Sequence, residues 1–524
     1  MKKPLIVAAS ALLLFLTSVA FVANASAAGY QTVDAFQESG AYSLIIIPDG
    51  WNGSLFLYAH GYSPDVSTLV PYPSDITPDN IGDKLQGGDA LLQIALQFGY
   101  AVGTTTYRSI GWAVEDAIQD VENVRQRFLA RYGQPKLTYM WGHSLGGLIT
   151  KTIIEKEPNT FAGALPFCGP GAGARRNLNG AFDLRAVYEY ACGGVAGAAF
   201  TCRVCSDGSS RCLEDSDCPG GETCGAAENA PPPQLGLTPQ CTALVLRKPG
   251  TANEQPRYTD FVGERLAACF GSDNPTPEQA ARKDFVLRAT QLPEDFLATD
   301  LFFATVALGE VTRNRTGGRP PWGNVGVDYA SPLLSPAEQA QLNAGVVRAR
   351  NDPVATDYMR RFFEPQGRTS SKVLTLQALD DGLVIPENQE KYHEAFAAAG
   401  RTDQLVQLFT TTGGHCGFSV AEHVAAFLAL TNWVEHGVKP TTSGAAATCS
   451  SFSSLGDCHL VDADPGEFGR KVVERFQTGV PIASYVCAGD AGDCPAGASC
   501  SLSTLHCASQ SIMPPSPLRL RLRF

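Results

Sequence analysis

Lys136-Leu137-Thr138-Tyr139-Met140-Trp141-Gly142-His143-Ser144-Leu145-Gly146-Gly147 is the stretch on which the fold of this chain turns. The apolar run 136–141 predicts a β-strand, and 145–157 predicts a helix. Between them stands G-x-S-x-G, with glycines at 142, 146 and 147. A sharp strand-to-helix turn needs such neighbours, because its backbone is strained and strand and helix approach closely. The turn places Ser144 at a helix N-terminus, where free N–H groups and the dipole favour developing negative charge. Ser144 is therefore the candidate nucleophile.

Working outward, strands are expected at 43–48, 54–59, 100–105 and 161–167, with helices at 90–97 and 112–132. In the second helix Ala113, Ala117, Val121, Val124 and Phe128 recur at helical spacing, and Gly133 stops it. The alternation breaks near Gly169. It resumes near Lys372 with strands at 372–379 and 404–410 and helices at 387–399 and 420–436. Alternating strands and helices predict an α/β fold with a mostly parallel sheet covered on both faces. The organisation expected is core 28–168, a lid-like insertion 169–371 with helices near 278–310 and 337–363, core 372–440, and a Cys-rich extension 441–524.

A serine nucleophile needs a base that is itself oriented by a carboxylate. On a strand–turn–helix of this kind the acid and then the histidine follow in loops after later strands. His393, His423 and His436 fall in helical segments, His459 and His506 in the Cys-rich extension, and His60 and His143 precede or touch the nucleophile. His415 alone follows a strand, in the loop TTTGGHCGF, and is the candidate base. The preceding strand leads into Leu379-Asp380-Asp381-Gly382-Leu383-Val384, which offers two acids.

Here the sequence resembles lipase- and esterase-like α/β-hydrolases. The resemblance rests on GHSLGG, on His60-Gly61-Tyr62, on the His415 loop, and on D-x-L-V followed by Pro386, Asn388 and Tyr392. It covers about 40–168 and 372–437. It implies Asp381 as the acid, with Asp380 a solvated or helper residue. It also implies an oxyanion hole made by the N–H groups of Leu145 and Tyr62, whose ring could line the acyl pocket. His415-Cys416 is similar to tannase- and feruloyl-esterase-like enzymes, in which a Cys before the Ser bridges to the Cys after the His. His143 occupies that position here, so Cys416 is expected to pair elsewhere, with Cys449 or Cys168.

Composition sets the remaining bounds. With 44% hydrophobic and 18% charged residues, 524 residues can bury a sizeable core. A net charge of −12 disfavours nucleic acid or an anionic membrane surface as partner. Lys2 and Lys3, the apolar run 5–22, and Ala23-Asn24-Ala25 or Ala25-Ser26-Ala27 fit a signal peptide over 1–27 with no stable membrane insertion after cleavage; an uncleaved anchor is the alternative. Export predicts that the 16 Cys form disulfides. The repeated D-C-P-x-G-x-x-C at 217–224 and 493–500 is read as cross-linked loops, with zinc as the rival.

The function expected is carboxylic ester hydrolysis through an acyl-enzyme, with no metal or organic cofactor. A secreted exopeptidase is the nearest rival, with Glu310, Glu294 and Asp295 as amine-binding acids. Polyester depolymerisation would favour an open site. A catalytically silent binding protein is the answer from another class.

Overall fold

The computed structural model describes residues 29–63, 89–200, 258–362 and 364–464, most of 203–227 and parts of 494–509. The expected signal peptide and the Pro231-Pro232-Pro233 run lie outside them. Strands β1 (Tyr30–Glu38) and β2 (Ala41–Pro48) form a hairpin whose turn residues Ser39 and Gly40 both have positive φ. That geometry matches the right-handed twist of the flanking strands. β3 (Leu55–Ala59), α1 (Asp89–Gln97), β4 (Ala101–Thr105), α2 (Val114–Tyr132), β5 (Thr138–His143), α3 (Leu145–Lys156) and β6 (Gly163–Phe167) follow.

The insertion then begins with α4 (Ala174–Cys192) and a small sheet of β7 (Arg203–Cys205), β8 (Arg211–Cys212) and β9 (Cys224–Ala227). Its α-helices among the described residues continue with α5 (Tyr258–Phe270), α6 (Pro277–Thr290), α7 (Leu297–Glu310), α8 (Pro336–Gly345) and α9 (Pro353–Phe362). The alternation resumes as β10 (Lys372–Ala378), α10 (Glu387–Ala398), β11 (Leu405–Thr410) and α11 (Val420–His436). α12 (Thr442–Ser451) and β12 (Leu460–Val461) come from the Cys-rich extension, and β12 pairs antiparallel with β11.

The main sheet runs β1-β2-β4-β3-β5-β6-β10-β11-β12. β2 is antiparallel to both neighbours, β12 closes the far edge antiparallel, and the strands between pair in parallel. This is the α/β-hydrolase arrangement, with the strand leading to Ser144 at its centre. The sheet is buried on both faces because its central strands are apolar on both. On β3, Leu55 and Leu57 join the core beneath α2 and α3, with Val121, Phe128, Leu148 and Ile149. Phe56 and Tyr58 face the other way, into the core under α1 and α11. There Phe56 stacks on Tyr139 with ring centroids 4.4 Å apart. Continuous apolar strands of this kind mark a doubly covered parallel sheet.

The nucleophile turn is fixed by close backbone approach. A Cβ on Gly146 would fall on the Ala59 and His60 carbonyl oxygens, and one on Gly147 would lie 2.6 Å from the Phe167 carbonyl oxygen. The Ala59 and Phe167 carbonyls cannot withdraw, since each belongs to the end of a central strand. Gly146→Val is therefore expected to destabilise the protein by more than the roughly 1–3 kcal/mol typical of overpacking a core. Thermal denaturation measures this, and an unchanged melting temperature contradicts the packing described.

Candidate active site

Ser144 stands at the first turn of α3 with φ 54° and ψ −119°. That region is unfavourable for a residue with a Cβ, and such strain persists only where surrounding structure over-determines it. Here the Ser144 N–H donates to the Phe167 carbonyl at 3.1 Å, and the Leu148 N–H donates to the Ser144 carbonyl at 3.1 Å. The side chain is thereby held off the end of β5 toward the loops after β10 and β11. Leu145 is the first residue of α3, so its N–H has no acceptor within the helix.

Those two loops bring His415 and Asp381 to Ser144. His415 Nε2 lies 2.8 Å from Ser144 Oγ, and His415 Nδ1 lies 2.8 Å from Asp381 Oδ2. Asp381 is fully buried, whereas the His415 side chain keeps 18% of its exposure. The Asp381 carboxylate also accepts from the Leu383 and Val384 N–H groups at 3.0 and 2.9 Å and from Gln377 Nε2 at 3.1 Å. Its lone pairs are thus taken by donors that fix its orientation toward His415. Asp380 is exposed, and its Oδ1 accepts the Gly414 N–H at 3.3 Å, a contact to the His415 loop rather than to the imidazole.

Sequence reasoning missed Gln377, a buried polar residue on β10. Its amide reaches Asp381 and the Ala378 and Val384 carbonyls, while its own oxygen accepts from Gln389 at 3.2 Å. A polar side chain near the end of a central strand, four positions before the acid, is the signal that could have found it. Glu422 is a second such residue. It closes the capping box of α11 and accepts from Thr410 and Thr412, fixing the chain that leads to His415.

Of the two partners open to Cys416, the structure has Cys168, at the end of β6, and Cys449 pairs with Cys458. The Cys168–Cys416 bridge ties the His415 loop to the strand beside the nucleophile strand, and Cys416 Sγ packs 3.5 Å from His415 Nε2. Reduction, or Cys168→Ser, is expected to lower kcat by roughly tenfold to a hundredfold, because small displacements of a catalytic group cost that much. Equal turnover with and without a reductant whose action on this bridge is verified by thiol counting would contradict this role.

The insertion packs directly on the other side of the site. Tyr62 is buried, its ring lies 5.1 Å from that of Phe303 on α7, and its hydroxyl donates to Glu310 at the end of that helix. The Tyr62 side chain is therefore engaged by the insertion. Phe296, just before α7, crowds Gly382, the residue after Asp381. A π-helical turn at Val311–Arg315 follows, and Arg315 pairs with Asp116 of α2 at 2.8 Å.

Behind Ser144 lies a relay of buried imidazoles. His423 Nδ1 donates to the Ser419 carbonyl at 2.9 Å, which leaves its Nε2 to accept from His143 Nε2 at 3.0 Å. His143 Nδ1 then faces the Tyr58 hydroxyl at 3.5 Å. A further proton on His423 would set its Nε2–H against that of His143. Burial pushes His143 well below the usual imidazole range and His423 down to about 4. The unfolded chain binds these protons near pH 6.5 and the folded one does not, so stability is present above that pH and is lost as the pH falls. For His423 the full effect is on the order of 3 kcal/mol. Glu155, raised to about 7 by desolvation, gains stability over the same window, so the relay is read by difference: His423→Gln is expected to lessen the fall in melting temperature between pH 6.5 and 5, and a profile identical to wild type excludes the relay.

Cys205, Cys212 and Cys218 are the one cluster among the described residues with metal-ligand proximity. Their sulfurs are used in the Cys205–Cys218 and Cys212–Cys224 disulfides, as the cross-linked reading of this repeat expects. In the second repeat Cys494 pairs with Cys507. No helix among the described residues is long and apolar enough to cross a membrane.

No family model and no curated protein matches this chain. Among solved structures it is similar to an esterase from Aspergillus oryzae, at 14% identity and TM-score 0.35, over 78% of this chain and 80% of that one. It is also similar to feruloyl esterase B from Aspergillus oryzae, at 14% identity and TM-score 0.37, over 80% and 89% of the two chains. For Candida antarctica lipase A the values are 11%, 0.37, and 77% and 75%.

Proposed function

We propose that this protein is an exported serine hydrolase that cleaves carboxylic esters through an acyl-enzyme. One observation carries the reading: the Ser144, His415 and Asp381 side chains stand in one hydrogen-bonded line, 2.8 Å at each link, beginning at a strained turn. In this mechanism Ser144 Oγ attacks the ester carbonyl while His415 Nε2 takes its proton. Asp381 holds the imidazole tautomer and stabilises the imidazolium. The Leu145 and Tyr62 N–H groups take the oxyanion. The imidazolium then protonates the leaving alcohol, and His415 activates the water that resolves the acyl-enzyme.

Residues 169–371 act as a lid in this reading, supported by the contacts of Phe296, Phe303 and Glu310 with the acid loop and with Tyr62. Export is supported by the disulfides throughout the described residues, since such bridges persist in oxidising compartments.

An ester is favoured over a peptide amino terminus by the fate of the acids that would bind an amine. Glu294 pairs with Lys283 at the surface, Asp295 is exposed beside it, and Glu310 is buried against the Tyr62 hydroxyl. Turnover of p-nitrophenyl butyrate beside aminoacyl p-nitroanilides tests the choice. Ester turnover alone is the expected result, and faster nitroanilide cleavage overturns it.

A further inference from the structure

We infer that Tyr107 is a positioning residue for the oxyanion hole, holding the Gly61–Tyr62 peptide so that its N–H faces the reacting carbonyl. This rests on the hydrolase reading above, in which the Tyr62 N–H is one of the two donors.

That peptide needs a lock. A trans peptide is planar, so the Gly61 carbonyl and the Tyr62 N–H point in opposite directions and turn together. Gly61 has no Cβ to oppose the turn. The Tyr62 side chain is anchored by Phe303 and Glu310, but rotation about the bonds flanking the peptide leaves that side chain in place. A half-turn would carry the N–H out of the hole. It would also set a carbonyl oxygen, the negative end of the peptide dipole, toward the developing oxyanion.

The lock runs through His60 to Tyr107. His60 Nδ1 lies 2.7 Å from the Gly61 carbonyl oxygen. A carbonyl can only accept, so Nδ1 carries the proton, and the bond fixes which way the peptide faces. The imidazole stacks on the Tyr107 ring, with centroids 4.0 Å apart and planes 19° from parallel, and the Tyr107 hydroxyl donates to the His60 carbonyl at 3.1 Å. One side chain thus grips both the ring and the main chain of His60. That main chain lies over the nucleophile turn, where the His60 carbonyl oxygen leaves no room for a Cβ on Gly146, the neighbour of Leu145.

Tyr107 is buried and takes its place by leaving β4 with a φ of 60°. An aromatic residue in the left-handed region is unfavourable and persists where its surroundings over-determine it, as at functional sites. Its N–H donates to Thr105 Oγ1 at 3.3 Å, and its carbonyl accepts from Thr106 Oγ1 at 3.2 Å.

Tyr107→Phe keeps the stack and loses the hydroxyl, whereas Tyr107→Leu loses both. With p-nitrophenyl acetate, kcat is expected to fall by about threefold to tenfold in the first, the scale of one net hydrogen bond. In the second it should fall by about tenfold to a hundredfold, at or below the loss found when an oxyanion donor is removed outright. KM should stay within about threefold, because acylation and deacylation both pass through an oxyanion and slow together. Phenethyl trifluoromethyl ketone reads the hole directly. Ser144 Oγ adds to its carbonyl carbon, the serine proton passes to His415 Nε2, and the carbonyl π pair becomes the oxyanion. The inhibition constant should rise by the same factor as kcat falls, a link that a packing role alone does not make. Wild-type kcat in Tyr107→Phe, or a wild-type inhibition constant where kcat has fallen, overturns the positioning role, and Tyr107→Phe decides this even if Tyr107→Leu fails to fold. Failure of the wild-type protein to turn over p-nitrophenyl acetate overturns the hydrolase reading instead.

Discussion

Ser144→Ala is expected to lower kcat for p-nitrophenyl esters by about 10⁵–10⁶-fold, the scale seen when the nucleophile of a serine triad is removed. The size follows from the geometry: His415 Nε2 lies within hydrogen-bond distance of the Ser144 hydroxyl, and without that hydroxyl no acyl-enzyme can form. The fold should not suffer. The turn is held by the Ser144 main chain and by the approach of the flanking glycines, so alanine inherits the same backbone and the same strain. The melting temperature is expected to stay within a few degrees of the wild-type value. A fluorophosphonate probe should add its mass to the wild-type protein at Ser144 and leave the variant unlabelled. Turnover retained in a folded Ser144→Ala protein would overturn the nucleophile assignment, and wild-type protein that resists the probe would favour a silent binding scaffold.

The parts of the fold that could be read from sequence were those in which burial leaves a pattern. β3, β5 and β6 are buried along nearly their whole length and read as largely apolar runs, β10 is as buried but interrupted by Thr375 and Gln377, and the parallel sheet followed from their alternation with helices. β1 was not expected because it lies at the sheet edge and most of its residues are exposed, which leaves no apolar run in YQTVDAFQE. The helix expected near 278–310 is two, α6 and α7, since Gln291 takes the left-handed conformation and Pro293 precedes the next turn. The stretch near 337–363 also divides, into α8 and α9, the second beginning at Pro353. In the site, Ser144 and His415 could be proposed because each needs a particular chain environment, a glycine-lined turn and a loop after a strand, whereas the loop after β10 offered two acids and only the resemblance to lipase- and esterase-like hydrolases implied Asp381. Gln377, the His143–His423 relay and the Cys168 partner of Cys416 depend on which side chains meet in space. Their nearest sequence cue was a polar residue where an apolar one was expected.

Asp381→Asn is the second large effect, and the crowding around that carboxylate determines its form. Oδ1 accepts two backbone N–H groups, and Oδ2 accepts Gln377 Nε2 and His415 Nδ1. An asparagine has one oxygen for these two sets of donors. With its amide nitrogen toward Leu383 and Val384, it sets N–H against N–H in a fully buried place, at a cost of about 1–3 kcal/mol for each unsatisfied group. With the nitrogen toward His415, it donates to Nδ1 and fixes the proton on Nε2, the atom that must accept from Ser144. In this second orientation kcat is expected to fall by about 10⁴-fold, as when the wrong imidazole tautomer is imposed on a triad of this kind; in the first the tautomer is kept and the loss is smaller. The second orientation opposes one donor, Gln377 Nε2, and loses the most activity, whereas the first opposes two backbone N–H groups and loses more stability, so a melting curve beside the kinetics separates them. Asp380→Asn is the control. Its neighbour carboxylate meets only the Gly414 N–H among the contacts of this loop, at 3.3 Å, and the variant should lose less than about tenfold, since an exposed bond of that length contributes little. If Asp380→Asn proves the more damaging of the two, the acid has been assigned to the wrong residue.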